Sequence, residues 1–305
     1  MMEFLTDYIL KFPESWQFKL GDAIDTSVKA FSREHRGALR AIRDVVVTVV
    51  GGIRWALEKT PWVVLVLIVV VLAWRLMKSW RAAALYAALL TFVGCCGLWD
   101  EMIQTLSVVI ASVLLCVLAG FPLGVLLALS ERANRVIRPI LDTMQTMPSW
   151  VYLVPAVILF NVGITPALLA TTIYAIVPIV RLTSHGLVYV DAEMLEAARA
   201  FGSTRMQTLV KVQIPQALPT IMTGINQTLM MAMAMVVTCS MIGARGLGSE
   251  VLIAVNRTEI GRGLVSGFSV VILAILLDRL TQGWFGDEKK KARKADKLPG
   301  GDQNG

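Results

Sequence analysis

The sequence predicts an all-α integral membrane protein with about seven transmembrane helices. Two observations lead to this prediction. Of the 305 residues, 56% are hydrophobic and only 17% are charged, whereas soluble proteins average about 25% charged residues. The apolar residues also occur in long runs, and about 20 such residues in a helix cross the hydrocarbon core of a bilayer. The chain is long enough for one membrane domain with tails.

The candidate spans follow residue 60, and each is a run dominated by apolar side chains. They lie near 61–76, 82–99, 103–129, 149–162, 165–182, 217–242 and 264–280. The third run would reach about 40 Å as a straight helix, and Pro122 within it predicts a kink. Gly120 and Gly124 have the GxxxG spacing that permits close helix contact. Pro148 and Pro155 predict that the fourth run is broken or tilted.

The two ends of the chain differ from these apolar runs. Residues 1–59 carry both signs of charge, and their apolar residues recur mostly at helical spacing. This pattern predicts amphipathic helices that lie on the membrane surface or pack against the bundle. The first twenty residues show no unbroken apolar run, so no cleavable signal peptide is expected. Residues 283–305 include the run KKKARKADK, and we expect a disordered, cytoplasmic basic tail there.

Lys and Arg residues are distributed unevenly between the two sides of the predicted bundle. If residues 191–215 are cytoplasmic, that side holds seventeen Lys and Arg residues when those at the span edges are included. The opposite loops after the first span hold three, which are Arg245, Arg257 and Arg262. Because cytoplasmic loops are enriched in Lys and Arg, this bias predicts the N-terminus outside and the C-terminus inside.

Several kinds of chemistry have no sequence signature in this chain. It has no GxxxxGK[ST] phosphate loop, and the glycine-rich segment 243–248 follows a predicted span, which argues against a dinucleotide fold. The cysteines lie in apolar stretches without metal-ligand spacing and are Cys95, Cys96, Cys116 and Cys239. With two histidines and no paired carboxylates in an apolar pocket, neither an enzyme nor a metal site is predicted. The surplus positive charge lies mostly in the tail, which favours a membrane surface over nucleic acid.

Ionisable residues are missing from the interior of the predicted spans, since Asp278 and Arg279 come only at the last turn of the seventh. Proton- and ion-driven carriers usually keep such groups at membrane depth, so a self-powered carrier is disfavoured. The uncharged polar residues within the spans include Thr171, Thr172, Asn226 and Gln227. They either form interhelical hydrogen bonds or line a pathway for a polar solute.

The segment 191–215 is charged, although it lies between two spans. Asp191 can cap a helix through Glu193–Phe201, and Gly202 suits the left-handed position that ends a helix. We expect Ser203 to cap a second helix, which Pro215 then ends. The segment therefore predicts a short helix, a glycine turn and a second helix on the cytoplasmic face.

This segment resembles the signature loop of the permease subunits of ABC importers, which reads EAA, three residues, Gly, nine residues, Ile-x-Leu-Pro. The matching residues are Glu196, Ala197, Ala198, Gly202 and Pro215, with Val212 and Ile214 at the two aliphatic positions. The resemblance implies a type I ABC importer permease fold in which this loop docks on a separate ATPase subunit. It also implies that the partner binds ATP and Mg²⁺, and that this chain has no cofactor of its own.

Longer stretches resemble the glycine betaine/proline betaine permease group, namely 142–160, 211–237 and 272–282. The resemblance covers about residues 20–282. It implies two permease copies, two ATPase subunits and an extracytoplasmic solute-binding protein in a bacterial or archaeal plasma membrane. The implied cargo is glycine betaine or a related compound such as proline betaine, choline or carnitine. The alternatives are an importer of another small solute, such as an amino acid, and a membrane scaffold or sensor that transports nothing.

These observations divide the chain into four parts. We expect residues 1–59 to form an amphipathic extracytoplasmic or interfacial region, 60–100 two accessory transmembrane helices, 101–282 the importer core, and 283–305 the tail. The coupling loop at 191–215 lies within the core.

Overall fold

The structure, a computed structural model, describes the backbone of residues 20–295 and the side chains of residues 20–283, and its regular elements there are all helical. The helices are α1 (Leu20–Glu34), α2 (Arg36–Lys59), α3 (Trp62–Met77), α4 (Trp80–Cys95), α5 (Trp99–Leu129), α6 (Glu131–Thr146), α7 (Trp150–Phe160), α8 (Ile164–Val188), α9 (Ala192–Ala200), α10 (Arg205–Thr208), α11 (Ile214–Thr238), α12 (Leu247–Arg257) and α13 (Ile260–Ala295). A π-helical turn, Leu209–Gln213, joins α10 to α11, and a 3₁₀ turn, Cys239–Ile242, follows α11. The predicted all-α fold is confirmed.

The number of full-length spans is smaller than predicted. Four segments of the described chain are long and apolar enough to cross a membrane, and they are Trp99–Leu129, Ile164–Val188, Arg205–Ile242 and Ile260–Gly283. Counting two bent helix pairs, α2 with α3 and α6 with α7, raises the number to six. The prediction of seven separate spans is corrected because α3 and α4 have 16 residues each and α7 has 11. At 1.5 Å per residue, none of these three covers a hydrocarbon core of about 30 Å alone.

Both bent pairs break at a proline. The helices turn by 96° between α2 and α3 and by 98° between α6 and α7. Thr60 and Met147, which precede Pro61 and Pro148, have extended backbones with ψ of 121° and 133°. A proline ring disfavours helical geometry in the residue before it, which explains both breaks. The predicted break near Pro148 is confirmed.

Helix α8 lies between α5 and α11 and packs extensively against both. Glycines allow this close packing. A Cβ atom on Gly124 would lie 2.6 Å from Cβ of Thr183 and 2.8 Å from the carbonyl oxygen of Val180. A Cβ atom on Gly224 would lie 3.2 Å from the carbonyl oxygen of Pro178. The close contact predicted from the GxxxG spacing is therefore present between α5 and α8.

The direction of the helices places the ends of the chain relative to segment 191–215. This segment follows the C-terminal end of α8, whereas α11 leads away from it and α13 returns toward it. Gly283 of α13 lies beside Leu76, because a Cβ atom added there would be 2.8 Å from Cβ of Leu76. The C-terminal end of α3 is therefore on the same side as segment 191–215, and α2 lies at the opposite end of the bundle.

The terminal regions are described only in part. Helix α2 packs against α5 and buries Val46 and Val50, as expected of an amphipathic helix against the bundle. Helix α13 continues to Ala295, past residue 282, where the importer core was predicted to end. Residues 1–19 and 296–305, which belong to the two predicted terminal regions, lie outside the described residues.

Candidate coupling loop and translocation pathway

The first half of the coupling loop is a short helix with defined ends. Asp191 caps α9 because its Oδ1 accepts a hydrogen bond from the backbone N–H of Glu193 at 3.0 Å. At the other end, the N–H of Gly202 donates to the carbonyl of Arg199 and that of Ser203 to the carbonyl of Ala198. Gly202 has φ of +77°, the left-handed conformation that this type of helix end requires. The predicted roles of Asp191 and Gly202 in the backbone are confirmed.

The second half of the loop differs from the prediction in two places. Thr204, and not Ser203, caps α10. Its Oγ1 accepts from the N–H of Gln207 at 3.3 Å, and the Gln207 Oε1 accepts from the N–H of Thr204 at 2.9 Å. This reciprocal pair satisfies two backbone donors, which one Ser203 hydroxyl could not do.

Pro215 does not end the second helix. It lies in the first turn of α11. Proline has no N–H to donate, and the helix changes locally from the α to the π type just before it. The preceding π-helical turn closes with the N–H of Ile214 donating to the carbonyl of Leu209. A π-helical turn is wider than an α-helical one and so accommodates the proline ring. The chain from Arg205 to Ile242 is consequently one continuous helical segment.

The coupling loop exposes apolar side chains on the outside of the bundle. Phe201 is 92% exposed, Met206 67% and Met194 48%. Of the motif residues, Glu196, Ala197, Gly202 and Pro215 are exposed, and Ala198, Val212 and Ile214 are half-buried. Large apolar side chains exposed on one short, otherwise polar loop indicate an interaction surface. The loop therefore has the character of a docking surface for another protein.

Behind this surface the loop is fixed to the bundle. Leu209 is buried in the main hydrophobic core, and Leu195 packs against that core. Gln213 donates from Nε2 to the carbonyl oxygen of Leu187, the penultimate residue of α8, at 3.4 Å. A force applied to the exposed surface thus acts directly on α8 and α11.

The two threonines proposed for the pathway differ in exposure. Thr171 is fully buried, and its Oγ1 lies 3.7 Å from Sγ of Cys239. Thr172 is half-buried and donates to the carbonyl of Leu168, one turn earlier in its own helix, at 2.8 Å. Thr171 therefore joins α8 to the end of α11, and it has no exposed surface for a solute.

Asn226 and Gln227 also differ in exposure and in their hydrogen-bond partners. Gln227 is exposed on α11. Asn226 is half-buried and donates from Nδ2 to Oδ1 of Asp278 on α13 at 2.7 Å. Asn226 therefore forms an interhelical hydrogen bond, and its partner is charged because α13 continues past Asp278 and holds this carboxylate within the helix. Gln282 also donates to both oxygens of Asp278.

A hydrogen bond between residues far apart in the chain fixes α12 to α5. The N–H of Leu247, at the start of α12, donates to Oγ1 of Thr105 at 2.9 Å. Gly246, with φ of +142°, comes so close that a Cβ atom there would lie 2.5 Å from the same oxygen. The glycine-rich segment 243–248 was a readable signal for a tight turn, but nothing in the sequence points to Thr105, which lies far away along the chain.

Comparison with known proteins assigns this architecture to a family. Residues 120–284, which include the coupling loop, match the family described as binding-protein-dependent transport system inner membrane component. The chain belongs to this family. It is a multi-pass membrane permease of the ABC importer type, and it acts with ATPase and solute-binding partners.

Similarity to individual relatives extends well beyond the matched region. The permease is 42% identical to the glycine betaine transport system permease protein OpuAB of Bacillus subtilis, over 90% of this chain and 96% of the relative. It is 41% identical to the glycine betaine/proline betaine transport system permease protein ProW of Escherichia coli, over 92% of this chain and 77% of that one. Among solved structures, an inward-facing MetNI methionine ABC transporter aligns with a TM-score of 0.54 and 26% identity, over 64% of this chain and 95% of that chain.

Proposed function

We propose that this permease takes up glycine betaine or a related quaternary ammonium compound, such as proline betaine, choline or carnitine, across the plasma membrane of a bacterium or archaeon. The observation that carries the proposal is the 42% identity to OpuAB over 90% of the chain. This similarity includes the coupling loop and the helices on both sides of it. No catalytic group is required in this chain, because ATP and Mg²⁺ bind in the partner subunit.

The coupling loop supplies the mechanism. An ATPase subunit covers the exposed side chains of Phe201, Met194 and Met206, and its closure on ATP moves α9. The movement reaches the membrane because Leu195 of α9 packs against the main hydrophobic core, and because the second half of the loop continues into α11 as one helical segment, Arg205–Ile242. The ATPase and the solute-loaded binding protein each favour the access state to which they bind more tightly, which produces alternating access.

The transporter contains two copies of the permease and two ATPase subunits. One side of α11 supports this arrangement, because small, polar or flexible side chains recur there at helical spacing and face away from the bundle. These exposed residues are Pro219, Thr223, Gln227, Met230 and Ala234. A second copy would cover this stripe and leave the amide of Gln227 beside a path for a polar solute between the copies.

Uptake of radiolabelled glycine betaine tests the proposal. The permease is expressed with its ATPase and binding protein in cells that have no betaine uptake of their own. We expect saturable, ATP-dependent uptake that proline betaine inhibits and methionine does not. Uptake of an amino acid without glycine betaine would assign a different cargo, and ATPase binding without any solute flux would identify a scaffold.

A further inference from the structure

A cavity of about 310 Å³ lies where α1 and α2 meet the C-terminal end of α7. Its polar lining consists of Arg36, Arg40 and Arg43 from α2, the hydroxyl of Ser32 from α1 and the amide of Asn161. This cavity is far from the coupling loop. Asn161 directly precedes α8, whose 25 residues span about 37 Å before the coupling loop begins.

The three arginines make the cavity strongly positive. They are spaced at i, i+4 and i+7, so they share one face of α2. In the part of the chain that the structure describes, none of them forms an ion pair or a side-chain hydrogen bond. The acidic residues nearest in sequence, Glu34 and Asp44, form no ion pair with them there. Three guanidinium groups around one cavity, without an acidic partner among the described residues, favour an anionic ligand.

The apolar surface next to the cavity indicates where this anion comes from. Helix α2 turns by 96° into α3, so it lies across the ends of the membrane-spanning helices. Val47, one turn after Arg43 on the same face of α2, is 50% exposed, and Leu39, Leu159 and Phe160 also line the cavity. Apolar residues beside a basic face are typical of a helix that lies in the membrane interface.

We propose that Arg36, Arg40 and Arg43 bind the phosphate of an anionic phospholipid in the extracytoplasmic leaflet, with its acyl chains along the apolar side of α2. The choice of leaflet rests on the proposed function, because it takes the coupling loop as cytoplasmic. One guanidinium group can donate hydrogen bonds to two phosphate oxygens at once, and Ser32 and Asn161 provide further donors. A lipid whose net charge is negative is preferred over a zwitterionic one because no acidic side chain among residues 20–283 pairs with the arginines.

Lipid binding to the purified transporter tests this site without measuring transport. The complex of permease and ATPase is stripped of lipid in detergent, and dioctanoyl phosphatidylglycerol is titrated while bound lipid is counted by native mass spectrometry. The test variant carries Arg36→Gln, Arg40→Gln and Arg43→Gln. Each arginine near an anionic lipid surface contributes about fivefold in affinity, so this variant should bind about a hundredfold more weakly.

The control also removes three positive charges from the N-terminal helices, with Lys29→Gln and Arg33→Gln in α1 and Lys59→Gln in α2, none of which lines the cavity. It should bind phosphatidylglycerol as the unmodified protein does. Equal losses in both variants, or no loss in the first, would overturn the proposal. If inorganic phosphate displaces the lipid at equal concentration, the site binds a free anion and the lipid assignment is wrong. Failure of glycine betaine uptake would leave all these results unchanged, so the two proposals fail separately.

Discussion

Among single residues, Gly202 has the strictest requirement, because its φ of +77° is strained for any residue with a side chain. No atom lies within 4 Å of where its Cβ would be, so a substitution there acts through the backbone and not through a clash. Gly202→Val should cost about 1–3 kcal/mol locally and displace α9 from its ATPase partner. Transport and solute-stimulated ATP hydrolysis should fall together in nanodiscs, while expression and binding of the loaded binding protein persist.

Gly202→Asn is the matched control, since asparagine adopts the left-handed conformation more readily than other residues with side chains. It should retain most of the coupling between ATP hydrolysis and uptake. Normal coupling in Gly202→Val would show that the loop at 191–215 is not the element that transmits the movement.

Asn226 and Gln227 are adjacent in sequence but should respond differently to replacement by leucine. Asn226→Leu removes a donor from the half-buried Asp278 carboxylate, which should reduce the free energy of unfolding by about 1–3 kcal/mol. Gln227→Leu changes an exposed side chain and should reduce uptake without changing thermal unfolding. Unfolding in detergent and uptake in cells measure the two effects. Unchanged uptake in Gln227→Leu would remove this residue from the pathway.

Residue roles could be predicted from the sequence where the partner is local. Asp191 and Gly202 act on backbone groups within a few residues, so their roles were predictable. The cap at Thr204 was also readable, because Gln207 follows it at capping-box spacing. The bond from Asn226 to Asp278 joins residues 52 positions apart, and only the packing of α11 against α13 brings them together.

Among the helix pairs, the contact between α5 and α8 depends on the absence of a side chain at Gly124. Gly124→Ala would place a methyl group 2.8 Å from the carbonyl of Val180, and this overpacking should cost about 1–3 kcal/mol. Gly267→Ala in α13 is the control, because nothing lies within 4 Å of its Cβ position and alanine favours a helix. Thermal unfolding of the purified proteins should show a loss for the first and none for the second. Equal stability of the two variants would contradict the packing argument.

The start of α12 depends on one hydrogen bond to α5. Thr105→Val keeps the shape of the side chain but leaves the buried N–H of Leu247 without its acceptor, which should cost about 1–3 kcal/mol. Thr91→Val is the control, since the exposed Thr91 hydroxyl only donates to Ala87 within its own helix. A difference in unfolding temperature between the two variants measures the contact. If they unfold alike, this hydrogen bond does not hold α12.

The number and length of the elements were only partly predictable. Apolar runs located α3, α4, α5, α7, α8, α11 and α13, because hydrophobicity is a local property of the chain, but they missed α6 and α12. They did not give the lengths: α13 reaches Ala295, well beyond the apolar run at 264–280. Similarly, Pro215 predicted a helix end, whereas the wider turn at Leu209–Gln213 keeps the helix continuous. Such breaks and continuations depend on how backbone groups find partners, which composition alone does not determine.

For the whole molecule, the remaining prediction is its orientation in the membrane. The count of seventeen against three Lys and Arg residues did not include residues 1–59. The structure places the arginines of α2 at the end of the bundle opposite the coupling loop. The arginines of α2 therefore run against the positive-inside rule, but Lys and Arg in long or folded segments influence orientation less than those in short loops.

Because α13 returns to the side of the coupling loop, we expect position 292 inside and Arg257, at the end of α12, outside. In a Cys-free variant, an impermeant thiol reagent should label a cysteine at 257 in intact spheroplasts and one at 292 only after the membrane is opened. Labelling of 292 in intact spheroplasts would reverse the topology, place the coupling loop outside the cell and leave the proposed ATP-driven mechanism without access to its partner.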